Sequence, residues 1–521
     1  MPNLGENRLV QLHRPAALAA LAAVAALGAA IGYSLGQGGA FAAVLIATAA
    51  PFVVVILLAR PSLGLYALVF VAPYVDVFKT ESMGVTFRLS EIFGLLLFIV
   101  AVMYMFKAGR RPHLSIVDVF VLGTLAAMLV SATANLGNIP SVERLKNIPT
   151  AWIGVTGVLD EPRMAIYKKT AHSLVAFAIY FAVSWLANTW RVWHKAVKVL
   201  IITSMLVCVW SLLNLVGFMG GMTTGLGVKA STIWYTGTAP RITGTLSEPS
   251  YFANFLVLVI PIAFFSYARQ GARPGGDVLV GRRWDLAAMI LLCIALFFTF
   301  SGGGWFVFAL EILLLLGVFV RHRLPLRRFG LMVLALAVFA ALGLMAVSLF
   351  TEMDYAQLAE DNWQKVVDLF EIGVGSGRRV APDVGWKMFC DHPLFGVGPG
   401  RFSAFEYDYL LELGIEEDPP ASTFYAKIMG ELGVLGMVMV IGTFVSIIWL
   451  CFRWARRAPH GPTQTILWGM GVGFVAVAVH YMAHATFWWP YVWVVFGLAN
   501  AGVRLARRLT LAECLNWEES T

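Results

Sequence analysis

Residues able to grip an anion or move a proton are concentrated in a few short stretches of this 521-residue chain. The densest is 373–402, GVGSGRRVAPDVGWKMFCDHPLFGVGPGRF, with Arg378, Arg379, Trp386, a His392–Pro393 turn and Arg401. A guanidinium donates two aligned bonds to phosphate or carboxylate oxygens and stays charged. Gly375 and Gly377 are expected to free the arginine pair from regular helix. A second stretch sets Arg241 upstream of Glu248 and Pro249. Glu248 reads equally as a general base or as a helix-end charge with Pro249 in the first turn. His480 and His484 stand one helical turn apart. They read as interface residues or as phosphate and proton-transfer groups, and no third ligand accompanies them to make a metal site.

Apolar runs must position these groups. The chain is 59% hydrophobic and 13% charged, against about 25% charged in soluble domains. Continuous runs of spanning length recur from end to end, which indicates an all-α polytopic membrane protein and excludes an alternating barrel. The run from Pro15 to Leu35 reads as a retained first helix rather than a signal peptide. About 14 spans are expected by the ~20-residue criterion, centred near Ala25, Leu45, Val69, Leu96, Leu125, Phe177, Met205, Val257, Leu292, Phe308, Leu336, Met439, Phe474 and Val494. The third is short, between Pro61 and Pro73, so the range is about 12–14. Basic loops alternate with loops poor in Lys and Arg, which puts both termini in the cytoplasm. The net charge of +8 is therefore a topology signal and not a nucleic-acid footprint.

The opposite face carries one long acidic segment, about 351–421. Arginines there are not needed for orientation and require another reason. The segment reads as folded: an amphipathic helix over Tyr355–Phe370, a second over Pro382–Asp391, and a third with Phe402, Phe405, Tyr409 and Leu413 on one stripe, stopping near Gly414. The expected division is 1–350 for transmembrane helices 1–11, 351–421 for this large, partly helical loop, and 422–521 for the last helices and a cytoplasmic tail. Glu311, inside a span, is a candidate by position, with a hydrogen bond to a neighbouring helix or a protonated state the expected reading. The stretch from Phe487 to Trp493 fits an aromatic interface belt. The five cysteines form no disulfide framework or metal spacing.

Three strings together resemble the O-antigen ligase and polysaccharide polymerase superfamily. One is GSGR…W…DHPLFGVGPGRF in the long loop. The second is RITGTLSEPSYFA, from Arg241 to Ala253. The third is STFYAKIMGELGVLG, from Ser422 to Gly436. Two departures stand out. The family's histidine at the start of the third string falls on Ser422, and SGGGW at Ser301–Trp305 lacks the arginine of the family's Ser-Arg-Gly segment.

The resemblance implies glycosyl transfer from a polyprenyl-pyrophosphate-linked oligosaccharide at the periplasmic face of a bacterial inner membrane. It makes Arg378 and Arg241 the expected grips on the departing diphosphate, with Glu248 as candidate base. Arg379, Arg401, Tyr425, His480, His484 and Trp386 are expected substrate contacts. No cofactor, no metal and no nucleic acid are expected. Donor glycolipid, a glycan or lipid acceptor and membrane lipids are the expected partners, with a chain-length regulator and a flippase as possible protein partners. The Glu-Pro-Ser variant points towards a polymerase. A ligase acting on lipid A core and a lipid flippase are the alternatives.

Overall fold

A computed structural model describes residues 59–75, 79–82, 85–107, 109, 114–137, 162–219, 233–236, 239–269, 282–321, 330, 360, 377–414, 423–458 and 461–518. In chain order the helices are α1 (Pro61–Val71), α2 (Leu89–Lys107), α3 (Ile116–Asn135), α4 (Pro162–Leu186), α5 (Trp190–Met219) and α6 (Pro249–Arg269). They continue as α7 (Arg282–Phe298), α8 (Gly302–Arg321), α9 (Gly377–Asp391), α10 (Phe402–Glu412), α11 (Phe424–Arg457), α12 (Pro462–His480) and α13 (Pro490–Glu518). Two antiparallel hairpins, β1 (Lys79–Ser82) with β2 (Val85–Arg88) and β3 (Ile233–Thr236) with β4 (Ala239–Ile242), lead into α2 and towards α6.

Seven of the described helices are long and apolar enough to cross a membrane, and α1 and α8 supply shorter apolar helices. The chain is a polytopic helical membrane protein. The expected spans centred at Ala25, Leu45 and Leu336 lie outside the described residues, as does the expected helix over Tyr355–Phe370. All the other expected centres fall in described helices.

Burial separates central from peripheral helices. In the most apolar window, 89% of α6 and 83% of α12 is buried, against 33% of α2. The two central helices pack on each other. A Cβ on Gly469 of α12 would lie 2.8 Å from the Pro261 carbonyl of α6, so glycine permits that approach.

The helices run alternately, so one end of the bundle gathers Lys107, Arg191, Lys195, Lys198, Arg453, Arg456, Arg457, Arg507 and Arg508. A buried polar network lies just inside this basic end. Asp118 Oδ1 accepts from Tyr180 Oη (2.7 Å) and Asn500 Nδ2 (2.9 Å), and Arg504 donates to Ser184. It ties α3, α4 and α13 together. The other end carries the hairpins, α9 and α10, and is called here the loop end.

The loop helices correct one expectation. Helix α9 begins at Gly377, not near Pro382, so Arg378 and Arg379 lie in its first turn rather than in glycine-loosened chain. Pro382 sits inside this helix. It removes the amide that would bond the Arg378 carbonyl, but so close to the helix start that the helix continues. The third loop helix ends at Glu412, with Gly414 at φ +70°. Its buried face is Phe402, Glu406, Tyr409 and Leu410, while Leu413 is exposed.

Candidate active site

At the loop end α11 is broken, and the break organises what surrounds it. Gly433 has φ 63° and ψ −159°, a conformation restricted in practice to glycine. Breaking the helix frees the carbonyls of Gly430 and Glu431. The turn after α9 caps them: Val397 N donates to Gly430 O at 2.9 Å and Gly398 N to Glu431 O at 3.1 Å. In return Val434 N donates to Pro393 O at 2.8 Å. Gly396, at φ +64°, lies so close to Glu431 that no side chain fits. Ser131 and Asn135, at the end of α3, lock the turn from behind by donating to Phe395 O (2.6 Å) and Gly396 O (3.1 Å). The glycine-rich part of 391–402 and the later string at 424–436 thus form one docking joint.

Arg401 closes this joint. Its side chain is 1% exposed, and Nη1 donates to Asn135 O (3.1 Å) and Val397 O (3.4 Å). The guanidinium lies 5.2 Å from the Phe405 ring centre. Burial lowers its pKa from the usual arginine value. Glu431 Oε1 accepts from Phe402 N at 3.3 Å. Glu406 is buried nearby, and its Oε1 has no hydrogen-bond partner among the described residues. Burial pushes its pKa up to about 7, opposed by the charge of Lys427.

A cationic, aromatic wall begins beside this joint. Lys169 of α4 lies within electrostatic reach of Glu431, Lys427 and Arg88. Its ammonium stands 5.4 Å from the Trp488 ring centre, and the Arg88 guanidinium 5.6 Å from that of Trp489. Arg88 is held by Glu91 (2.9 Å), which also meets His172 Nδ1 at 3.0 Å. Trp489 meets Tyr251 edge-on at 4.8 Å, Tyr251 meets His484 at 6.2 Å, and His484 lies 4.9 Å from His480 between ring centres.

The histidine pair is positioned from α6. Asn254 Oδ1 faces Thr486 Oγ1 (2.9 Å) and Tyr491 Oη (3.0 Å), and Asn254 Nδ2 faces His480 Nδ1 at 3.0 Å. With both hydroxyls donating to Oδ1, Nδ2 donates to the ring and a neutral His480 carries its proton on Nε2. That nitrogen faces Gly303, where an added Cβ would lie 3.6 Å away. Arg241 joins from the other side, as its Nε donates to Thr299 O at 2.9 Å just before the Ser301–Gly304 turn. Glu248 stands ahead of α6, half-buried; its carbonyl accepts from Tyr251 and Phe252, and Ser250 Oγ donates to its carboxylate at 3.2 Å. Tyr425 donates to Ala478 O at 2.8 Å, and Phe424 N donates to Tyr481 O at 3.2 Å. The later string therefore starts beside His480.

The structure pairs His480 with His484, bonds Tyr425 to the carbonyl of Ala478 two residues before His480, and bonds Arg241 to Thr299 four residues before Gly303, which faces His480, with Glu248 at the head of the same helix as Asn254 and Tyr251. Arg401 lies across the α11 break, bonded to backbone. Trp386 is exposed on α9 and stacks on Phe389 at 5.5 Å. For Arg378 and Arg379 only the backbone is described, and Ser422 lies outside the described residues. Sequence reasoning missed Arg88, Lys169, Lys427, Asn254 and Glu406. For Lys169 a signal existed: KKTAH at 168–172 sets cations at the head of a span on the face that is otherwise poor in them. Glu311 is fully buried and its carboxylate has no hydrogen-bond partner among the described residues, so of its two expected readings the bond to a neighbouring helix is not seen there. Among the described residues no three His, Cys, Asp or Glu side chains are grouped so as to hold a metal ion.

A family model described as O-antigen ligase matches residues 287–441. That stretch is similar to O-antigen ligases. It is under a third of the chain and runs from α7 through the break in α11, so it includes Arg378, Arg379, Trp386, Arg401 and Tyr425. Arg241, Glu248 and the histidine pair lie outside it. No curated protein matches the chain.

Proposed function

We propose that this protein transfers a glycan from a polyprenyl-diphosphate carrier to an acceptor hydroxyl at the loop end of the bundle, facing the periplasm of a bacterial inner membrane, and that it acts as a polymerase of lipid-linked repeat units. The reading is supported by one observation: Arg88 and Lys169 lie over Trp489 and Trp488 beside the family-matched joint, with Lys427 in electrostatic reach of Lys169 and Tyr251 linking Trp489 to the histidine pair.

As the bond from the anomeric carbon to the diphosphate breaks, negative charge grows on the leaving oxygen. Preorganised cations stabilise that charge without reorganisation. Arg378 and Arg241 are assigned to it, with Arg379 beside them, and Arg88, Lys169 and Lys427 extend the positive field towards the carrier. The acceptor hydroxyl must lose a proton. Glu248 is the candidate base that takes it. His480 stands in for the histidine missing at Ser422, because the later string begins against its neighbour Tyr481; with Asn254 bonded at Nδ1 and the proton on Nε2, its ring donates a hydrogen bond to the reacting groups. The exposed Trp386 suits stacking on a sugar, while Arg401 holds the turn that presents α9. The description of the matching family favours a second reading, in which the acceptor is a lipid A core and the enzyme is a ligase.

The test is turnover of purified protein with a synthetic polyprenyl-diphosphate oligosaccharide. Arg378→Ala and Arg378→Lys are each expected to lower the rate at least about 100-fold, since lysine keeps the charge but not the fork. His480→Gln is expected to slow transfer with donor affinity kept. Full turnover by both Arg378 variants removes the diphosphate grip, and glycan transferred only to lipid A core replaces the polymerase with the ligase.

A further inference from the structure

At the opposite, basic end, the last turns of α11 line a cavity of about 640 Å³. We propose that it holds the head and upper acyl chains of an anionic glycerophospholipid. Its described lining lies on one stripe of α11, and the stripe changes character along its length. Val445, Ile448 and Phe452 come first, apolar and spaced to share one face. Arg453, Arg456 and Arg457 follow in the final turns. Within the apolar zone stands Trp449, 51% exposed. An apolar helix face leading to a cluster of cations matches a lipid, with chains along the helix and phosphate at its end.

Two features separate this from arginines that merely report orientation. Each guanidinium rests on an indole: Arg453 at 4.7 Å from the Trp449 centre, Arg456 at 6.0 Å from Trp468, and Arg457 at 6.0 Å from Trp454. Stacking holds the planar forks in place while leaving their edge N–H groups able to reach an anion. Among the described residues the lining contains no carboxylate and these arginines make no ion pair. The positive charge is therefore uncompensated by described protein groups at the mouth of an apolar cavity. Charge complementarity selects an anionic head over a zwitterionic one. The apolar half selects a lipid over free phosphate.

The experiment uses the full-length protein, delipidated in neutral detergent. Native mass spectrometry and thermal unfolding are read after adding phosphatidylglycerol, phosphatidylcholine or inorganic phosphate. Phosphatidylglycerol is expected to stay bound and raise the midpoint, with phosphatidylcholine and phosphate doing neither. Replacing Arg453, Arg456 and Arg457 together by Gln is expected to weaken retention at least about tenfold. Arg507→Gln with Arg508→Gln, a pair outside the described cavity lining, is expected to leave retention unchanged. If the triple variant does not insert, Arg453→Gln alone keeps two arginines for orientation and is expected to lose about threefold. Equal retention by the arginine variants, equal binding of phosphatidylcholine, or a full effect from phosphate alone would each overturn the proposal.

Discussion

Arginine does different work at the two ends of this bundle. At the loop end Arg401 is 1% exposed and bonded to two carbonyls. At the basic end Arg456, Arg457, Arg507 and Arg508 are exposed. A cation left in water costs little to place and loses little when removed. A cation taken out of water persists only where backbone or charge replaces its hydration. Number therefore marks the end that sets orientation, and burial marks the end that is built around a joint.

The sharpest test of that difference is the joint itself. Gly433→Ala is expected to destabilise by about 3 kcal/mol, because the residue combines a glycine-only conformation with a Leu394 carbonyl carbon 2.6 Å from the added Cβ. Thermal unfolding in detergent and proteolysis of the turn after α9 check this. A variant cut no faster than the parent would mean that the break in α11 does not hold the turn.

Arg401→Met follows, at about 2–3 kcal/mol. Methionine fills the space but leaves the Asn135 and Val397 carbonyls without their charged donor. The same replacement at the exposed Arg507 should leave unfolding unchanged, and equal losses at both positions would abolish the contrast between the ends.

Glu406 gives the comparison a pH dependence. Folded, it keeps its proton to about 7, while the ordinary value is 4.5. Between those values the folded state binds more protons than the unfolded one. Its contribution is whole below the lower value, falls as pH rises through the window, and is flat above it. The total is on the order of 3 kcal/mol. Glu406→Gln should remove the slope and make the variant relatively more stable at pH 8, read as the unfolding midpoint from pH 4.5 to 8. A slope that survives would assign it to another group.

Much of the frame was readable before any coordinates. Among the described residues span positions followed from apolar run length, and the basic end from the alternation of Arg and Lys, because both depend on local composition. The third loop helix was readable from Phe402 to Gly414 for the same reason. The start of α9 was not, since Gly375, Gly377 and Pro382 all signal a break locally. Glu406 is polar on a stripe that looks apolar, so its burial was hidden. Asn254, within an apolar run, shows its purpose only once Thr486, Tyr491 and His480 arrive from residues more than 200 positions away. Arg88 looks like a single charge ahead of a span, and the Lys168–Lys169 pair shows its purpose only once the turn carrying Trp488 and Trp489 is placed over it.

The smallest expected effect is the control that gives the larger ones meaning. Arg508→Gln removes an exposed charge near the end of α13. Exposed charges of this kind contribute within about 0.5 kcal/mol, so the unfolding midpoint should stay level with the parent's. Orientation should also survive, because Arg504, Arg507 and the arginines of α11 remain at the same end. Labelling of single cysteines introduced at each end reads orientation directly. A loss comparable to that of Arg401→Met would show that the basic end is built as tightly as the loop end, and burial would then no longer distinguish the two.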